Sequence, residues 1–260
     1  MSGIVVEARG LRVRCGARTV GGFSFGVPEG EVYALLGHAG SGKTLLLEAL
    51  AGLRRPCGGA VRVRGTDPYA AREGLRIGTV WRDGGLFPGL TVSEIVTAWR
   101  RWTLDPLAAD EALALTGLEA SAGVRFERLT AGERRRLDLS LALLGRSDVL
   151  FLDEPTSGLD SGTVHLIWAA LRRIAASGTA VLLATRDAAE ARRADGVVVV
   201  DRARPVAPRG GTGMIPIRRP ASSGGPGAAR FWSQAAAPGA PGPAAAQVPG
   251  PLGSRGREAG

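Results

Sequence analysis

Residues 32–50, VYALLGHAGSGKTLLLEAL, decide how this chain folds. The run from Val32 to Leu36 is apolar and bounded by glycine, the pattern of a buried strand. From Gly42 the leucines recur at helical spacing, and the pattern predicts a helix through Leu53. Between strand and helix, Gly37, His38, Ala39, Gly40, Ser41, Gly42, Lys43 and Thr44 match G-x-x-x-x-G-K-[ST]. In that context the loop's backbone N–H groups and the helix dipole face a phosphate chain. Lys43 is placed to reach the β- and γ-phosphates, and Thr44 to put its hydroxyl on Mg²⁺. The chain has 33 basic residues, and Lys43 is its one lysine. A wide planar guanidinium replaces a compact ammonium poorly in so narrow a loop.

The metal's second partner lies downstream. Residues 148–155, DVLFLDEP, are an apolar strand ending in Asp153, which positions the metal, and Glu154, the candidate general base for water. Around these motifs, residues 4–36 read as short β-strands and residues 60–64 as another. Residues 76–80, 179–184 and 197–200 read as further strands. Helical patterns fill residues 92–102, 110–115 and 132–144. Strands separated by helices describe an α/β core whose ligands sit beyond the carboxyl ends of the strands.

Composition narrows the alternatives. The 260 residues are 45% apolar, enough for one core, and no run of apolar residues is long enough to span a bilayer. No secretory signal opens the sequence, so a cytoplasmic location is expected. Cys15, Cys57, His38 and His165 lack metal-ligand spacing, so neither a structural metal nor a disulfide is expected. The net charge is +9, but from Pro205 onward six arginines face a single acid, Glu258. More than half of the excess therefore belongs to a Pro/Gly/Ala-rich segment whose composition predicts disorder, and nucleic acid is not an expected partner.

With both motifs in order, the sequence resembles the ATP-binding cassette (ABC) family. LTAGE at 129–133 resembles its signature, SGLD at 157–160 its D-loop, and LFPGLTV at 86–92 the segment after its Q-loop. By itself LTAGE reads as a helix start, because Thr130 followed by Glu133 is a capping box; both readings can hold together. The resemblance implies a phosphate-loop NTPase core with an N-terminal antiparallel β subdomain and a helical subdomain at about residues 86–146. Residues 1–206 form the ATP-binding domain and 207–260 a tail. It further implies a head-to-tail dimer, with itself or with a second cassette. In such a dimer Thr130, Ala131, Gly132 and Glu133 face nucleotide held by the other subunit, and Asp160 marks the D-loop. It implies ATP and Mg²⁺ as cofactors. It also implies transmembrane permease subunits on other chains as partners, with the cassette peripheral on the inner face of the membrane.

Three positions depart from the family pattern. Cys15 stands where an aromatic residue stacks on adenine, and Arg12 or Arg14 is an alternative platform. Arg82 stands at the Q-loop glutamine; either neighbouring Asp83 substitutes for it, or Arg82 is a solvated loop residue. Arg186 stands at the switch histidine, where it can donate to a γ-phosphate but cannot shuttle a proton. Ala131 replaces the signature's first glycine. Three functions remain open: a transporter ATPase of the export type, with import as a variant; a degenerate cassette that binds ATP in a regulatory or asymmetric pair; and a translation or DNA-repair ATPase.

Overall fold

The computed structural model describes residues 3–16, 18–71, 74–200 and 217–218. The chain opens with β1 (Ile4–Cys15) and β2 (Arg18–Pro28), then β3 (Val32–Leu36) and α1 (Lys43–Leu50). Next come β4 (Gly58–Val63), β5 (Ile77–Val80), α2 (Val92–Arg100), α3 (Ala109–Thr116) and α4 (Ala131–Leu143). The second half runs β6 (Val149–Asp153), α5 (Ser161–Ala176), β7 (Ala180–Thr185), α6 (Ala188–Ala191), β8 (Gly196–Val199) and β9 (Ile217–Arg218).

Two sheets result. One is antiparallel, in the order β2-β1-β4; the other, β5-β6-β7-β3-β8-β9, is parallel up to its last strand. The antiparallel sheet comprises longer strands than the short ones expected: β1 and β2 run 12 and 11 residues and stay paired through register shifts near Ala8 to Arg12. Such irregularities let a long ribbon twist without breaking its ladder. Helix α1 lies between the sheets and buries Leu46, Leu47 and Leu50 completely, with Phe151 and Leu35 from the parallel sheet and Leu11 and Val63 from the other. Each such leucine contributes roughly 1.5–3 kcal/mol by leaving water. The helix stops at Leu50, short of the expected Leu53, because Leu53 N–H and Arg54 N–H both turn back to the carbonyl of Glu48.

Strands β3, β6 and β7 are buried at every position, as continuous apolar runs covered on both faces require. Of the segment beginning at residue 207, Ile217 and Arg218 pair antiparallel with Val197 and Gly196, where β8 offers an open edge. The rest of the expected tail lies outside the described residues.

Helix α4 organises the helical region through two contacts. At its start, the Thr130 hydroxyl accepts from Glu133 N–H while Glu133 Oε2 accepts from Thr130 N–H at 2.9 Å, the expected capping box. The same first turn meets α5 so closely that a Cβ on Gly132 would lie 2.2 Å from Thr163 Cγ2. Thr163 has little freedom to yield, because its hydroxyl donates to Asp160 at 2.6 Å and its N–H to the same carboxylate at 2.9 Å. Farther along, Arg135 donates to the carbonyls of Trp81 and Arg82 at 2.7 and 2.9 Å, and anchors the loop after β5. Asp138 lies beneath that loop, and its burial pushes the carboxyl up to about 6 against the opposing pull of Arg135 and Gly85 N–H.

Gly132→Ala is therefore expected to cost about 1–3 kcal/mol by overpacking. Adding Thr163→Ser, which removes the opposing methyl and keeps the hydroxyl, should restore most of that loss in urea unfolding; no restoration would mean the contact is not the cause. For Asp138 the folded-state pKa of about 6 exceeds the ordinary 3.8. Between those values the folded chain holds a proton that the unfolded chain has released, so stability falls as pH rises through that window. Relative to Asp138→Asn, the wild-type chain should lose stability between about pH 4 and pH 6 and level off above. Parallel urea curves for the two proteins across that range would refute this.

Candidate functional site

The site forms where four parallel strands end together. Their register pairs Val80 of β5 with Leu152 of β6, Asp153 of β6 with Ala184 of β7, and Leu36 of β3 with Thr185 of β7. Arg82, Glu154, Arg186 and Gly37 therefore emerge side by side along one edge of the sheet, each one or two residues beyond its strand.

The loop of residues 37–44 curls over the end of β3. Gly42 has φ +101°, a left-handed conformation that other residues rarely adopt, and a Cβ there would press on Val20. Lys43 opens α1 and bends back so that Nζ donates to the carbonyls of Gly37 at 2.9 Å and His38 at 3.0 Å. This holds the ammonium inside the loop, where burial lowers its pKa, with Arg186 adding to that effect and Glu154 and Asp153 opposing it. Ser41 Oγ is buried with no hydrogen-bond partner among the described residues. A buried lysine and an unsatisfied hydroxyl in a glycine-rich loop fit an anionic, multi-oxygen ligand.

Thr44 donates to Asp153 Oδ2 at 2.9 Å, across 109 positions of sequence. A hydroxyl and a carboxylate oxygen side by side are the hard oxygen donors that Mg²⁺ takes, so this pair would fit that ion. Asp153 is buried, which raises its pKa, with Glu154 adding; Thr44, Lys43 and Arg82 pull it down.

Glu154 takes φ +47°, a left-handed conformation costly for a residue that carries a Cβ, and its N–H donates to the carbonyl of Ala184 at 3.0 Å. Its side chain points at two arginines. Arg186 Nη2 donates to Glu154 Oε2 at 2.7 Å, and Arg82 Nη1 stands 3.8 Å from the same oxygen. Arg82 is exposed, as a solvated loop residue would be, while its carbonyl accepts from Arg135 and its guanidinium stands near Glu154. Asp83 is exposed beside it.

Other expected positions lie around this cluster. Thr130, Ala131, Gly132 and Glu133 start α4, and Glu133 is held below the usual carboxylate range by the Ser121 hydroxyl and then by Thr130. Asp160 caps α5, and Thr163 likewise lowers its pKa. His38, Ala39 and Gly40 are exposed on the loop's outer face. Cys15 ends β1, and its side chain lies outside the described ones; Arg12 instead lies against Gly21 and Gly58 of the flanking strands.

Sequence reasoning missed Glu190. It is buried, accepts from Thr156 at 2.6 Å, Thr185 at 2.5 Å and Trp168 Nε1 at 3.3 Å, and so ties the segment after Glu154 to the end of β7 and to α5. An acid in a short helix four residues after Arg186 carries no local signal of that role.

Comparison with known proteins agrees with this geometry. The profile of the ABC transporter family matches residues 20–157, over half of the chain. A Nod factor export ATP-binding protein I of Ralstonia nicotianae is 39% identical over 212 residues, covering 78% of this chain and 66% of that protein. The daunorubicin/doxorubicin resistance ATP-binding protein DrrA of Streptomyces peucetius is 36% identical over 219 residues, covering 81% and 66%. The chain thus spans about two thirds of the length of these relatives. Among solved structures, CbiO1 from Clostridium perfringens, part of an ABC transporter complex, superposes with a TM-score of 0.68 at 26% identity, covering 76% of this chain and 85% of that one. A dimeric ATP-binding cassette bound to ADP and Pi gives 0.62 at 22% identity, covering 75% and 94%, and shares the fold. A phosphate loop, a threonine–aspartate oxygen pair and a carboxylate at one sheet edge, in a chain with these relatives, belong to the ABC transporter family, and this chain is one of its ATP-binding cassettes.

Proposed function

We infer that the chain binds Mg-ATP at residues 37–44, hydrolyses it, and drives export through separate transmembrane subunits. The observation that carries this reading is the 2.9 Å pairing of Thr44 with Asp153, with Lys43 on one side and Glu154 on the other. In the reaction the water oxygen bonds to the terminal phosphorus as the bond to the bridging oxygen breaks. The water's proton passes to Glu154, and ADP leaves. Thr44 and Asp153 would hold Mg²⁺, which when bound would supply positive charge to offset what develops on the phosphates. Thr130, Ala131, Gly132 and Glu133 act toward nucleotide on the other half of a head-to-tail pair, with Asp160 beside them.

Residues 1–206 are taken as the cassette, 86–146 as its helical region and 207–260 as an appended tail. Export follows the printed roles of the relatives, which concern Nod factor export and drug resistance. None of the described helices is long and apolar enough to cross a membrane. The helical region offers a surface for a partner: Leu86, Trp102 and Leu104 are 80% or more exposed, and Trp102 stacks edge-on along Trp99 to Phe87. Large apolar side chains exposed to water mark an interaction site, which supports docking of the cassette on a membrane partner.

A second reading has its own support. Glu154 Oε2 already accepts a hydrogen bond from Arg186, and an engaged carboxylate suits a cassette that binds ATP in an asymmetric pair and turns over little.

Two outcomes are expected. Glu154→Gln should lower Mg-ATP turnover by about 10²- to 10⁴-fold, the range for loss of a general base, while ATP binding persists. Equal turnover in both proteins would remove Glu154 from that role, and tight binding without turnover in either would favour the second reading. Trp102→Asp should reduce the share of the chain that sediments with membranes of its source cell without changing ATP binding. Unchanged sedimentation would dismiss this surface as the docking site.

A further inference from the structure

Arg82 and Arg186 occupy two positions that the family pattern assigns to other residues, and they converge on one oxygen. Strand order explains this. Arg82 follows β5, Glu154 follows β6 and Arg186 follows β7, and β6 is the middle strand of the three. The carboxylate is therefore flanked by a guanidinium on each side, 3.8 Å and 2.7 Å from Oε2. The arginines are 59% and 41% exposed, while Glu154 is 12% exposed. The flanking groups can thus move more readily than the carboxylate they hold. Arg186 also lines a cleft of about 300 Å³ with Asp187, Glu190 and Arg193, which gives its side chain room to swing.

The charge of Arg186 is felt at Lys43 in the phosphate loop, and that of Arg82 at Asp153, the acid paired with Thr44 of that loop. A guanidinium fork takes a carboxylate or a phosphoryl group with the same geometry, so these two acceptors exclude one another. A carboxylate oxygen that already accepts from Arg186 and has the charge of Arg82 3.8 Å away is also poorly placed to accept a proton from water.

We propose that Arg82 and Arg186 form a switchable clamp for the terminal phosphate of a bound nucleoside triphosphate, with Glu154 as the competing occupant. This rests on the ATP-binding reading above. A third phosphate draws the guanidinium groups away from Glu154, and only then is the carboxylate released to act on water. A diphosphate leaves the clamp on Glu154. The two arginines thereby make the chain selective for triphosphate over diphosphate and couple that selection to activation of the base. An ordinary ion pair at this exposure contributes little and distinguishes no ligand.

The test measures equilibrium affinity of the full chain for the non-hydrolysable triphosphate Mg-AMPPNP and for Mg-ADP. The proteins are wild type, Glu154→Gln, Arg82→Gln/Arg186→Gln, and the variant with all three changes. Removing the competing charge in Glu154→Gln should tighten Mg-AMPPNP roughly tenfold, the scale of one charge-assisted hydrogen bond, with Mg-ADP unchanged. Removing both arginines should weaken Mg-AMPPNP by at least as much, again with Mg-ADP unchanged. In the triple variant the gain from Glu154→Gln should vanish. A gain of equal size in the triple variant, or a triphosphate-to-diphosphate ratio indifferent to the arginines, overturns the clamp while normal Mg-ADP binding leaves the ATP-binding reading intact. Wild-type protein that binds neither nucleotide overturns both.

Discussion

The hydrogen-bond register of the parallel sheet is the constraint on which the chemistry of this chain depends. Because β5, β6, β7 and β3 run the same way and end level, the residues that follow them meet within a few ångströms. Backbone pairing at a spacing of about 4.8 Å per strand does the positioning, and the side chains need only the right identity at each strand end. A slip of one residue in β6 would turn Asp153 to the other face of the sheet, and with it the partner of Thr44.

That arrangement gathers opposed charges in a partly dry place. Lys43 is only 5% exposed and Asp153 6%, and burial disfavours the charged form of each, lowering one pKa and raising the other. The left-handed backbone of Glu154 adds local strain. The surrounding fold holds these costs through the fully buried strands and through α1, whose leucines join the two sheets. Strain and desolvation brought together at the strand ends are what a site built for a charged ligand requires.

The helical region is linked to that edge by contacts that serve two purposes. Arg135 of α4 anchors the loop that carries Arg82, and Gly132 at the start of the same helix admits Thr163, which Asp160 holds in place. The start of α4, the cap of α5 and the loop after β5 therefore form one mechanical unit. Movement of α4 would be felt at Arg82, and through it at Glu154. Glu190 makes a similar tie on the other flank, between Thr156 and Thr185.

Much of this was legible in the residues themselves wherever the physics is local. The loop of residues 37–44 announces its conformation through its glycines and the helix that follows, and the capping box at Thr130 and Glu133 needs only four consecutive positions. Asp153 and Glu154 were readable as the end of an apolar strand. The convergence of Arg82 and Arg186 on Glu154 was not, because it depends on β6 lying between β5 and β7, and strand order is set by packing across the whole sheet. The clash that reserves Gly132 for glycine was hidden for the same reason, since Thr163 belongs to another helix. Sequence by itself determined the glycine-rich loop of residues 37–44, the acids that end β6 and the α/β class, because neighbouring residues fix hydrogen bonds and periodicity. Only the tertiary structure decided which distant charges share one oxygen, because that contact exists only when separate strands are laid side by side.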